Sequence, residues 1–181
     1  DELVAFIEGS VVEGRSAHEV EKTVWERILA LGHQALGLFF TSCGQGDVGK
    51  VIQLANGRQI KRLERLHRRP YLTVLGEFTL ERFVYGSREG QKIESVPLDA
   101  RLQLPASKFS CLLQDWDQAM ATELPFGKVN DCLSRLLGFP QSVNSLEQTG
   151  QALSESVDSF WGQVGVPSPE EEGELMVMSA D

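Results

Sequence analysis

This chain is poor in the residues from which most enzymes build a site. Its 181 residues include three cysteines and three histidines. Cys43, Cys111 and Cys132 lie far apart and His18, His33 and His67 are isolated, so no C-x2-C or H-x3-H spacing exists for zinc. An odd, scattered set of cysteines reads as reduced thiols in a cytoplasmic protein rather than as a disulfide framework. No apolar run approaches the ~18 residues of a membrane span, and no signal-peptide pattern opens the chain. No Ser/His/Asp or Cys/His pairing is visible. Basic residues also run out. Beyond Arg135 there is no Lys, Arg or His, whereas Glu147, Glu155, Asp158, Glu170, Glu171, Glu172, Glu174 and Asp181 are all acidic.

What is present is ordinary globular material, 41% hydrophobic and 24% charged, enough for one large domain or two small ones with a real core. The formal net charge of −9 argues against nucleic acid, but the mean hides a polarised chain. Residues 58–69, RQIKRLERLHRR, carry six basic groups and one acidic. Only this local run could meet phosphates.

Residues 43–51, CGQGDVGKV, bear on nucleotide binding. Gly44, Gly46 and Gly49 fit G-x-G-x-x-G, and Gly44, Gly49 and Lys50 almost fit the phosphate loop, except that Val51 stands where a Ser or Thr hydroxyl would hold Mg²⁺. Both motifs need a strand before the loop and a helix after it. Here the order is reversed. Ser16-Ala17-His18-Glu19 is a capping box, after which Val20, Val24, Ile28, Leu31, Ala35 and Leu38 recur at helical spacing. After the loop, Val51–Leu54 runs into Asn56-Gly57, a strand entering a tight turn. The loop is expected to be a plain connection, with no nucleotide partner.

The pattern predicts an α+β fold: an N-terminal amphipathic helix, central antiparallel hairpins and a helical C-terminal part. The segments are residues 1–49, 50–104, 105–164 and 165–181. The helix from about Ser16 to Phe40 should bury its stripe as core, with a dimer surface as the alternative. In the β region Tyr71–Leu75 and Phe78–Tyr85 flank Gly76, and Lys92–Val96 forms a further strand. The basic run is ambiguous. As a helix it aligns Arg58, Arg62, Arg65 and Arg69; as a strand, favoured by the turn before it and Pro70 after it, it puts Lys61, Arg65 and Arg69 on one side with Leu63. Helices follow from Pro105, from Pro125 to the stop at Gly138, and from Ser142 or Asn144 through Phe160. The last two, joined by Gly-Phe-Pro-Gln-Ser, have the outline of a helix-turn-helix. Residues 167–173, PSPEEEG, read as a solvated linker and 174–180 as a strand. The chain opens on Asp1 rather than Met and stops after an apolar stretch, so a piece of a longer protein is expected.

Several phrases together resemble a known family. RRPYLTVLGEFTLERFVYG, VPLDARLQLP, FSCLLQDWDQ, SLEQ and ELMVMSAD, in that order, are similar to bacterial insertion-sequence transposases of the Kra type, DDE enzymes with an RNase H-like core. The resemblance runs from about Gly44 to the last residue, and GQGDVG looks like the family's Gly-rich step between first helix and β region. In that family Ser-Ala-Asp ends a strand, continues Gly-Lys-Gly and supplies the first of three catalytic carboxylates, so the resemblance puts Asp181 at that position. Two Mg²⁺ ions on clustered carboxylates would activate the attacking oxygen and stabilise the departing one. One carboxylate cannot build that site, so this chain alone is expected to be inactive, with no complete metal site and no cofactor of its own.

The resemblance makes the upstream part a DNA-recognising and assembly region, with terminal-repeat DNA and further copies of the chain as partners. Arg58, Lys61, Arg62, Arg65, Arg68 and Arg69 can neutralise phosphates, with Tyr71 close by; roughly four such contacts would give a log K against log salt slope of about −3.6. The alternative is a solvated basic face paired with acidic groups. Gln141, Ser142, Asn144, Ser145, Gln148 and Thr149 could read base edges, although no basic residue on that helix would hold it in register. A reading from another class is a non-catalytic interaction module that binds an acidic partner through residues 58–69 and dimerises by helix.

Overall fold

The computed structural model describes residues 2–164 apart from 89, 91 and 156. Asp181, the 167–173 linker and the 174–180 strand lie outside the described residues. The fold is α+β, as expected. The chain divides into two compact units, residues 1–140 and 141–181, each described by itself.

In the first unit two helices open the chain, α1 (Glu2–Glu13) and α2 (Ala17–Ser42). Periodicity signalled only the second. Its capping box forms as the sequence requires: the Glu19 amide donates to Ser16 Oγ at 3.3 Å, and the Ser16 amide donates to Glu19 Oε2 at 2.9 Å. The strands are β1 (Val51–Gln53), β2 (Gln59–Arg62), β3 (His67–Thr73), β4 (Gly76–Arg82) and β5 (Tyr85–Gly86). β1, β2 and β5 make an antiparallel sheet in that order, and β3 and β4 form a separate hairpin. Lys92–Val96 is not a strand; Ser95 alone bridges to Tyr85. Three helices follow, α3 (Pro97–Arg101), α4 (Cys111–Ala121) and α5 (Phe126–Leu137). The helix expected from Pro105 starts later, because Ser110 takes the capping position and its Oγ accepts from the Leu113 amide. α5 ends as predicted, with Gly138 at φ 79°, a left-handed stop that only glycine adopts freely.

The stripe expected to be core on α2 is not core. Ile28, Leu31 and Leu38 are 50%, 66% and 68% exposed, and no α2 residue is fully buried. The face turned to the β3–β4 hairpin is a different one, Leu29, His33, Leu36 and Phe40, all half-buried. Leu36 and Phe40 pack on Tyr71, Phe78 and Leu80. The His33 ring stacks on Phe78 with centroids 4.3 Å apart, and its Nδ1–H donates to the Leu75 carbonyl at 2.9 Å. Small residues decide which face is used. A Cβ on Gly32 would sit 2.7 Å from Leu75 Cδ2, and one on Gly37 would sit 3.5 Å from Phe78. Gly32 thus leaves a notch that Leu75 of the hairpin fills, whereas a Cβ on Gly37 would make only an ordinary contact.

The second unit contains α6 (Val143–Ser154) and α7 (Val157–Trp161). The single helix expected through Phe160 is thus two. The two halves of the expected helix-turn-helix, α5 and α6, fall in different units.

Candidate nucleic-acid interface

The basic run is neither one helix nor one strand. It supplies β2, a turn at 63–66 and the first half of β3, and this break scatters its side chains. The expected grouping of Lys61, Arg65 and Arg69 beside Leu63 does not form. Lys61 and Arg65 are exposed, Leu63 is buried, and Arg69 points inward. In the hairpin the pleat sorts residues by parity. Arg69, Tyr71 and Thr73 of β3 face inward with Phe78, Leu80 and Arg82 of β4, while Arg68 and Pro70 face out.

Arg69 is therefore a structural residue. Its guanidinium donates to Asp99 Oδ2 at 2.6 Å and to the Ser107 carbonyl at 2.6 Å, and also reaches the Pro105 carbonyl. Arg82 donates to the same Asp99 oxygen. Arg69, Arg82 and Asp99 side chains are 11%, 14% and 17% exposed, so two cations share one shielded carboxylate that ties the hairpin to α3. Tyr71 is also buried, and burial first, then the Cys111 thiolate, pushes its hydroxyl above the usual tyrosine range. Neither residue has the open surface that a phosphate contact or a stacked base requires, which corrects their assignment to a DNA-facing set.

The other cations grade outward. Arg58 pairs with Glu94 and donates to Ser87 Oγ at 3.2 Å. Arg62 pairs with Asp47 while its guanidinium lies 4.6 Å from the Phe83 ring centroid. Arg68 meets its cross-strand partner Glu81 at 3.0 Å, with three quarters of its side chain in solvent. Lys61 and Arg65 are exposed and have no ion-pair partner among the described residues. Arg65, His67 and Arg68 line one side of an open groove of about 580 Å³ whose apolar floor includes Leu63, Leu66 and Ile93. A surface of this kind can hold a phosphate on its rim and an apolar group on its floor.

Two members of this surface were not singled out from the sequence. Lys50 was read as part of the Gly-rich loop, yet its carbonyl accepts from the Arg62 amide at 2.9 Å, which sets this exposed lysine, without an ion-pair partner among the described residues, beside β2. His67 was read only as an isolated histidine. Proximity of Lys50 to the basic run depends on β1–β2 pairing, and Asn56-Gly57 was the one signal for it.

The Gly-rich loop is held by its own chain. The buried Tyr85 hydroxyl accepts from the Val48 amide at 3.0 Å and donates to the Gly49 carbonyl at 2.9 Å, and the Gly49 amide donates to Asp47 Oδ1 at 3.0 Å. Gly46, at φ 73°, passes so close to α3 that a Cβ would stand 2.8 Å from the Leu98 amide nitrogen.

In the second unit the base-reading candidates divide. Gln141 and Thr149 are buried, and the Thr149 hydroxyl donates to the Ser145 carbonyl at 3.0 Å. Ser142 caps α6: its Oγ accepts from the Ser145 amide at 3.1 Å and lies 2.7 Å from Ser145 Oγ. Asn144 and Gln148 are exposed and one turn apart, with the exposed Glu147 beside them. In the free chain, then, Gln141 and Thr149 are buried and the Ser142 and Ser145 hydroxyls are engaged at the start of α6.

Among the described residues, no three His, Cys, Asp or Glu side chains converge to hold a metal ion. No described helix is long and apolar enough to cross a membrane. Compared with protein families, curated proteins and solved structures, the chain matches none.

Proposed function

We propose that this chain is a DNA-binding and assembly portion of a cytoplasmic DDE transposase, contacting the phosphates of element-end DNA and leaving strand transfer to a fuller catalytic domain. The identity rests on the resemblance of five phrases to the Kra-type family, Asp181 being the first carboxylate of that proposed catalytic domain. The observation that carries the DNA contact is the pair Arg65 and Arg68 at a groove lined also by Leu63, Leu66 and Ile93, with the exposed Lys61 on the neighbouring strand β2, on a chain of net charge −9. In an acidic protein such a patch is attractive to polyanions only locally, so binding should be weak at high salt and steep in its salt dependence.

The test is fluorescence anisotropy with duplex DNA from an element end, titrated across salt. Replacing Lys61→Ala and Arg65→Ala together should lower the magnitude of the log–log slope by about 1.8, two contacts at ~0.9 each. An unchanged affinity and slope would sink the DNA role of this patch. Binding that polyglutamate competes for as well as DNA does would instead support the acidic-partner reading.

A further inference from the structure

The chain has three asparagines, and the fold treats one unlike the other two. Asn130 lies inside α5 and Asn144 in the first turn of α6, where helix and cap hydrogen bonds tie down the following amide. The Ser145 amide, for instance, donates to the Ser142 carbonyl at 2.9 Å and to Ser142 Oγ at 3.1 Å. Asn56 stands instead at the exposed tip of the β1–β2 hairpin, and a glycine follows it. Gly57, at φ 81°, has open space where a side chain would stand, so nothing crowds its nitrogen. One turn hydrogen bond holds its amide, to the Leu54 carbonyl at 2.9 Å. The Asn56 carboxamide folds forward over this peptide, because its Oδ1 accepts from the Arg58 amide at 3.0 Å. That donor sits on the oxygen where negative charge gathers when the carboxamide carbon is attacked.

We propose that Asn56 is a self-modification site, where the Gly57 nitrogen displaces the side-chain amide and the resulting carboxylate adds negative charge at the head of the basic run. The Gly57 nitrogen gives up its proton and bonds to Asn56 Cγ. The Cγ–Nδ2 bond breaks, and ammonia leaves carrying a proton from solvent. Water then opens the cyclic imide at either carbonyl, leaving aspartate or isoaspartate. Isoaspartate also lengthens the main chain by one carbon between β1 and β2. The chemistry is independent of the DNA reading; only its effect on DNA rests on that reading.

The experiment is peptide mapping of the full chain, aged at mildly alkaline pH in heavy-oxygen water, folded and in urea. Trypsin cuts after Lys50 and Arg58, so residues 51–58 emerge as one peptide. Asn56 should convert with uptake of one heavy oxygen, within about tenfold of its rate in urea, since one turn hydrogen bond has to open. Asn130 and Asn144, each measured against its own rate in urea, should be protected more strongly. Protection of Asn56 beyond about tenfold, or equal to that of the other two, would overturn the proposal. DNA anisotropy then reads the consequence. Aged wild type and fresh Asn56→Asp should each bind about twofold more weakly than fresh wild type. Asn56→Ser, whose hydroxyl can hold the same turn, should not change on ageing. Equal binding by fresh and aged wild type would overturn the charge effect. Fresh chain that binds no DNA would strike the DNA reading and leave the modification standing.

Discussion

Arg65 and Arg69 lie four residues apart in one basic run, and the fold treats them oppositely. Arg69, on the inward face of β3, is 11% exposed and holds Asp99 and two carbonyls. Arg65, in the turn before β3, is exposed and unpaired among the described residues. A cation inside the fold is held by geometry, and its removal leaves a shielded charge without its partner. A cation outside is hydrated, contributes little to stability, and is available to a ligand. Equal charge in the sequence thus carries unequal function, and the pleat draws the line.

The largest effect should come from Asp99→Ala, which would leave Arg69 and Arg82 facing each other without a carboxylate. A loss of about 3 kcal/mol is expected in urea unfolding. Arg69→Ala should cost less, about 2 kcal/mol, because Arg82 still holds Asp99. If Arg69→Ala were neutral, the division between inner and outer cations would fail at its clearest point.

Tyr71 tests the inner face by pH. Its hydroxyl titrates higher in the folded chain than in the unfolded one, so between the two values the native state holds the extra proton. Stability is therefore fully present below the unfolded value of about 10 and lost as pH rises through the folded value. Tyr71→Phe should flatten that part of the stability profile at alkaline pH.

The outer face should respond little. Arg68→Ala removes one exposed cross-strand pair and should cost about 0.5 kcal/mol. Arg65→Ala is the smallest for stability, within roughly 0.5 kcal/mol of zero, yet it should lower the magnitude of the DNA salt slope by about 0.9. A cost for Arg65 as large as that for Arg69 would show that the turn is part of the packed structure and would erase the comparison.

The helical periodicities, the Ser16 capping box, the Asn56-Gly57 turn and the Gly138 stop were all legible, because each depends on residues within one or two turns of each other. The helix–loop–strand order around the Gly-rich connection was legible for the same reason. The α1 helix was not, since it lacks a start signal of that kind. The outline of the candidate interface, a basic run of twelve residues, was visible as composition.

Local chemistry thus determined where most elements begin and end, and that the chain is α+β. Tertiary structure decided which of two apolar faces of α2 meets the hairpin, through the notch at Gly32 and the aromatic faces of His33 and Phe40. It also decided which cations remain free. Asp99 lies 30 residues beyond Arg69, and Lys50 reaches Arg62 only through strand pairing. Partners at such distances are chosen by how elements pack, and no periodicity in the chain records that choice.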